Sequence, residues 1–139
     1  MVLRFSLSGV KLPHYKNTAR QKAVIMPAPQ TVTIPMIQHI GAPSKPTVKV
    51  GDNVNVGQVI AEPGGYVGTY MHSSVSGTVK KLEQVQSTNG KYSTAIVIAS
   101  DGEMTEYEGI APVTVNSYED FIEAVKNSGA VGFGGAGFP

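Results

Sequence analysis

Residues 46–62, PTVKVGDNVNVGQVIAE, and then 73–85, SSVSGTVKKLEQV, decide the fold. In the first stretch short apolar runs around Val48, Val54 and Ile60 are broken by Gly51-Asp52 and by Gly57. β-Branched residues in short runs between Gly and Asp turn signals read as strands. The second stretch repeats that grammar around Ser76-Gly77. Val48-x-Val50-Gly51-Asp52-x-Val54 reads as strand, tight turn, strand. Val75-Ser76-Gly77-Thr78-Val79 reads as a second strand pair about a glycine turn. So short a duplication arises by chance in β-rich chains, and it also suits a fold made of two interlocked halves.

On either side, TVTIPMI at 31–37 alternates and is β-branched, and YSTAIVIAS at 92–100 is a further strand entered through a turn at Asn89-Gly90. Strands this short with turns this frequent predict a small barrel or sandwich over residues 31–100. Upstream, residues 1–30 carry Pro13, Pro27 and Pro29, which disfavour a helix, and predict an extended N-terminal arm. Lys11, Lys16, Arg20 and Lys22 on that arm suit either an anion-binding face or an ordinary solvated surface.

Downstream the character changes. In SYEDFIEAVKNSG, Ser117 is a good N-cap and Asp120 stands where a capping box needs its acid. Glu119 and Asp120 complement the helix dipole, and Gly129 suits the position after the C-cap. Tyr118, Phe121, Ile122 and Val125 share one face, which predicts a buried stripe. This helix belongs to a different architecture from the strands, so a domain boundary is expected in the loop 101–112. Residues 101–139 then form linker, helix and a Gly-rich loop.

Composition removes several function classes. The 139 residues are 41% hydrophobic and 15% charged, which supports a core and argues against disorder. A net charge of +1 gives no case for nucleic acid. No apolar run approaches a membrane span, and the N-terminus has no signal-peptide pattern. With no cysteine, the chain offers no disulfide and no thiolate for zinc or an iron–sulfur cluster.

Site chemistry is sparse. His72 lies beside Ser73, Ser74 and Ser76, but no G-x-S-x-G elbow accompanies them, and a strand-edge histidine is the expected reading. His14 and His39 lack metal-ligand spacing with any partner. No catalytic residue and no metal ligand is assigned. In GFGGAGF, residues 132–138, Gly132, Gly134 and Gly137 fit G-x-G-x-x-G. Such backbone can present N–H groups to phosphate. A dinucleotide fingerprint, however, needs a strand before it and a helix after it. On physics alone, a phosphate loop and a plain turn are equally supported.

The stretch VKVGDNVNVGQVIAE…VSGTVKKL resembles the biotinyl/lipoyl type of barrel-sandwich hybrid, over roughly residues 46–99. In that family a lysine at a hairpin tip carries the prosthetic arm. Here the tip region is EPGGYVGTYMHSS, and no lysine occurs between Lys49 and Lys80. Carrier chemistry fails for want of its amine. Tyr66, Tyr70 and Met71 in that segment either face a partner domain or cover the end of their own sandwich.

In combination, the segments are more specific. SGVKLPHYKNTA at 8–19, QHIGAPSKPTVKVGD at 38–52, SVSGTV at 74–79 and GFGGAGFP at 132–139 occur in this order in the RnfC family, which the chain resembles over nearly its whole length. The family supplies the peripheral electron-input subunit of the bacterial Rnf ion-translocating oxidoreductase. The resemblance implies a mainly β, barrel-sandwich hybrid domain with one C-terminal helix from the start of a following α/β domain that binds flavin and NADH. It also implies a later region with two [4Fe–4S] clusters. Gly132, Gly134, Gly135, Gly137 and Phe138 then match the family's FMN/NADH loop, as cofactor-binding residues of a full-length parent. Complex I relatives often carry a basic residue in this loop, where this chain has Phe133. The chain is accordingly expected to be an N-terminal piece, cut just inside the next domain, with no cofactor of its own.

The implied role is a scaffold or docking domain without catalysis. Its expected partners are other domains of the parent and other Rnf subunits, with ferredoxin or NADH serving the parent and no nucleic acid. Its place would be peripheral, on the cytoplasmic side of the bacterial inner membrane. Two alternatives stand beside this: a flavin- or NADH-binding fragment, and the corresponding domain of a sodium-pumping quinone reductase.

Overall fold

A computed structural model describes residues 13–87 and 90–139. Among these described residues, seven strands and one helix follow in chain order: β1 Thr31–Pro35, β2 Lys45–Pro46, β3 Asn53–Val54, β4 Val59–Glu62, β5 Met71–His72, β6 Gly77–Gln86, β7 Tyr92–Ser100 and α1 Tyr118–Asn127. They form a four-stranded sheet in the order β1-β7-β6-β3 and a three-stranded sheet in the order β2-β4-β5. The pairings are antiparallel. The architecture is therefore mainly β with one C-terminal helix.

β7 is an interior strand of the larger sheet. Its Ala95, Ile96, Val97 and Ile98 are all buried. β1 and β6 flank the strand, and a strand covered on both faces carries a continuous apolar run. β6 pairs with β7 over its whole length, with a register shift between Val79 and Lys81. The core joins the two sheets: Ile34, Val54, Val79 and Ile98 of the larger sheet cluster with Ile60, Ala61 and Met71 of the smaller, together with Met36 and Val75.

The tight turn at Gly51 is present and is pinned to β6. The Gly51 N–H donates to the Val79 carbonyl at 2.8 Å, and the Val79 N–H donates back to the Asp52 carbonyl at 2.9 Å. Asp52 closes the turn by accepting the Lys49 N–H at 2.7 Å. The two sequence sub-patterns are thus neighbours, and β3 of the first pairs with the start of β6 in the second. Gly77 differs from the expectation. It is not the bend of a strand pair but the first residue of β6, with φ of 150°, pressed against the carbonyl of Ala99. A local pattern cannot distinguish a glycine that turns from one that admits a neighbouring strand.

Residues 101–110 return across the sandwich as a strap. The Val56 carbonyl accepts the Tyr107 N–H and the Val56 N–H donates to the Thr105 carbonyl, each at 2.9 Å. Ser76, fully buried, holds the strap's start: its hydroxyl donates to Asp101 Oδ1 at 2.6 Å and accepts the Thr105 N–H at 2.9 Å. Ser76→Ala removes the acceptor of the Thr105 N–H, and because Thr105 is exposed to water the loss is that of an ordinary hydrogen bond, about 0.5–1.5 kcal/mol. The expected result is faster amide exchange at Thr105 and Tyr107 with β7 unchanged. Equal exchange across the strap would contradict it.

The Asp101 carboxyl lies below its ordinary range because the Ser76 hydroxyl, and then the Glu103 N–H, favour the charged form. A depressed carboxylate contributes stability above the ordinary Asp value, about 3.9, and loses it as pH falls through the lower folded value. Strap protection, measured relative to the intrinsic exchange rate at each pH, therefore falls in that acid window. Asp101→Ala should remove that acid dependence.

Candidate functional site

α1 starts where the sequence places it. Ser117 Oγ accepts the Asp120 N–H at 3.0 Å, and Asp120 Oδ2 accepts the Ser117 N–H at 3.1 Å, which completes the capping box. The apolar stripe does not behave as expected. Tyr118, Phe121, Ile122 and Val125 are 73%, 54%, 49% and 44% exposed, and no residue of the helix is buried. Periodicity creates the stripe, but no element among the described residues covers it.

Few contacts fasten the helix to the sandwich. Thr69 Oγ1 donates to the Lys126 carbonyl at 3.2 Å. Gly129 follows with φ of 73°, and its backbone passes so near Tyr70 and His72 that a Cβ would lie 2.9 Å from the Tyr70 carbonyl oxygen. The Gly-rich loop then closes on itself, the Gly132 N–H donating to the Phe138 carbonyl at 2.7 Å. Gly134, Gly135 and Gly137 take φ of 82°, 68° and 60°, which L side chains rarely adopt. Their N–H groups donate to nothing among the described residues. Phe138 is 65% exposed. The loop is preceded by α1 and by residues 128–131, which form no strand, so the strand half of the dinucleotide context is missing.

The loop rests on the segment after β1. The Ile40 N–H donates to the Gly137 carbonyl at 3.3 Å. Beneath it sits a network that sequence reasoning missed. His39, an isolated polar residue in the sequence, is 6% exposed. Its Nδ1 lies 2.9 Å from the Ile40 carbonyl and its Nε2 3.3 Å from Ser44 Oγ, which donates to the Thr69 carbonyl at 3.1 Å. One buried chain of contacts therefore runs from the loop's support to the residue that holds α1. Its members are far apart in sequence, and only the fold brings them together.

Two recesses flank this junction. One, of about 460 Å³, is lined by Tyr66, Val67, Ile122, Val125, Lys126 and Phe138. The other, of about 270 Å³, lies among Gln38, His39, Thr69, Tyr70 and His72. Tyr66, near the hairpin tip where carriers hold their lysine, is fully exposed, whereas Met71 is buried in the chain's own core. His72 lies on β5, an edge strand, and neither Ser73 nor Ser76 hydrogen-bonds to it: Ser73 Oγ donates to the Val75 carbonyl, and Ser76 Oγ to Asp101. No Ser/His relay exists there. Among the described residues no three His, Asp or Glu side chains cluster as metal ligands, and no helix is long and apolar enough to cross a membrane. Of the arm's cationic residues, Lys16, Arg20 and Lys22 are exposed, and Lys11 lies outside the described residues. The junction can offer free backbone donors, an apolar recess and one ammonium group. It has no acid–base pair.

A family model described as "RnfC Barrel sandwich hybrid domain" matches residues 4–103. The chain is 41% identical to the C subunit of the Na(+)-translocating ferredoxin:NAD(+) oxidoreductase complex of Acetobacterium woodii, over 94% of this chain and 30% of that protein. It is 38% identical to the C subunit of the proton-translocating ferredoxin:NAD(+) oxidoreductase complex of Clostridium ljungdahlii, over 89% and 28%. Against the C subunit of the ion-translocating oxidoreductase complex of Pseudomonas aeruginosa it is 40% identical, over 94% and 18%. The chain thus spans less than a third of the length of these curated relatives.

Proposed function

Because this chain belongs to the RnfC barrel-sandwich hybrid family, we propose that it is the N-terminal scaffold and docking domain of an RnfC-like subunit in an ion-translocating ferredoxin:NAD oxidoreductase. The observation that carries the reading is the alignment of almost the whole chain with the C subunits of two such complexes and of an ion-translocating oxidoreductase complex. A sandwich whose hairpin tip offers Tyr66 in place of an acceptor lysine supports docking over group carriage. The division is an arm over 1–30, the sandwich over 31–100, and a linker, helix and loop over 101–139 that open a flavin- or NADH-binding domain of a longer parent. The uncovered stripe on α1 is consistent with a helix whose packing partner is elsewhere. The parent works at the cytoplasmic face of the bacterial membrane with other Rnf subunits. FMN, NADH and two [4Fe–4S] clusters belong to the longer parent, in which Gly132, Gly134, Gly135, Gly137 and Phe138 contribute to the FMN/NADH loop.

Deleting residues 31–100 from the parent subunit is expected to abolish its recovery with the other subunits while leaving its flavin bound. Unchanged recovery would overturn the docking role.

One observation favours a second reading. The N–H groups of Gly134, Gly135 and Gly137 have no acceptor among the described residues, and Phe138, the next residue of the chain, lines a recess with Ile122, Val125 and Lys126. Such a loop can receive a phosphate on backbone donors and an aromatic ring against apolar walls. On the scaffold reading, titrating this chain with FMN or NADH gives no saturable quenching. Saturable micromolar binding, lost in Gly135→Val, would replace that reading with the second.

A further inference from the structure

The arm carries an unclaimed interaction surface. Residues 13–28 are all exposed. Val24, Ile25 and Met26 are 91%, 94% and 75% exposed. From Lys22 to Pro29 no backbone N–H or carbonyl is paired among the described residues, and fastening to the body begins at Gln30, whose carbonyl accepts the Ser100 N–H at 2.9 Å. Pro27 and Pro29 hold Met26 and Ala28 in β or polyproline conformations. In an extended chain Ala23 and Ile25 point to one side, Val24 and Met26 to the other. A strand apolar on both sides suits burial on both sides.

Charge adds a direction. Residues 1–51 hold seven of the 11 Lys and Arg and none of the 10 Asp and Glu. Residues 101–123 hold seven of the acids and no Lys or Arg, yet no hydrogen bond or ion pair joins the described arm to them.

We propose that residues 22–26 dock as an added strand on an exposed sheet edge of a separate polypeptide with an acidic rim. Lys16, Arg20 and Lys22 meet the rim, and the apolar residues fill pockets on either side of the edge. A sheet edge satisfies the free backbone groups; a bilayer leaves them unpaired at several kcal/mol each, so lipid is the poorer fit. The absence of any hydrogen bond or ion pair between the described arm and the acids of residues 101–123 favours a separate chain. The proline pair ends the pairing after Met26, because Pro27 has no N–H to donate.

The inference rests on the subunit reading above, since the partner is sought in that assembly. The test is hydrogen exchange of the 22–26 amides in the isolated chain and in the purified assembly. Exchange in the assembly is expected to slow by about tenfold or more. The protection should disappear in Ile25→Pro, which removes one donor, and should weaken with salt and in the triple variant Lys16→Glu, Arg20→Glu, Lys22→Glu. β6 and β7 amides report that these variants keep their core. A chain that enters the assembly with these amides still fast sinks the strand but not the subunit reading. A chain that never enters it sinks both. Protection by phosphatidylcholine–phosphatidylserine vesicles alone, or concentration-dependent protection in the isolated chain, would overturn the proposal in favour of a membrane or a second copy.

Discussion

Gly77→Ala is expected to unfold the sandwich or to displace β6 from β7. Gly77 is the meeting point of three strands: it pairs with Val54 on β3 and with Ser100 on β7. Its φ of 150° is rare for an L residue, and a Cβ there would press into the backbone of Ala99 and Ser100. That contact is with backbone, so no side-chain rotation relieves it. Strain at such a φ contributes about 1–3 kcal/mol, and the steric displacement adds to it. A domain of this size has about 5–15 kcal/mol in total. The check is a denaturant titration of the chain. A midpoint within experimental error of the unsubstituted chain would show that β6 enters the sheet by some other geometry. Gly90→Ala is the control. Its φ is 80°, but a Cβ there meets nothing within 4 Å, so it carries the strain without the clash and loses less.

Ile98→Ala should be the costliest simple truncation. Ile98 is fully buried on β7, is flanked by Val32 on β1 and Val79 on β6, and belongs to the cluster that joins the two sheets. Large-to-small changes at such sites lose about 2–5 kcal/mol, made up of lost transfer energy plus the cavity. β7 itself is hydrogen-bonded on both sides, to β1 and to β6, and cannot shift far into the gap, which favours the upper part of that range. Val24→Ala on the arm provides the contrast. At 91% exposure it should leave the unfolding midpoint unchanged. Similar losses at both positions would mean that the core is not where the burial places it.

Much of the fold is legible in the sequence because its signals are local. Short β-branched runs specify strands, and Gly51-Asp52 specifies the turn before β3, whereas the Ser76-Gly77 signal marks no turn. The capping box at Ser117 and Asp120 specifies where a helix begins. The missing lysine at the hairpin tip excludes group carriage without any coordinates. The candidate loop is legible as glycines at 132, 134, 135 and 137, and three of those take the left-handed backbone that such residues permit.

Other features lie beyond local patterns. Periodicity predicts burial for the stripe of Tyr118, Phe121, Ile122 and Val125, because it marks an apolar face, but it says nothing of what covers that face. The Asn89 half of the turn before β7 lies outside the described residues, while Gly90 closes the turn by donating to the Ser87 carbonyl at 2.9 Å.

By itself, the sequence determined a β sandwich with a capped helix after it, no thiolate chemistry and no carrier lysine, because composition, alternation and caps act over a few residues. Only the tertiary structure decided that Gly77 admits a strand, that Ser76 ties down residues 101–110, and that His39, Ser44 and Thr69 form one buried network beneath the Gly-rich loop. Those depend on pairs some 5 to 29 residues apart, whose meeting is set by sheet register and not by local preference.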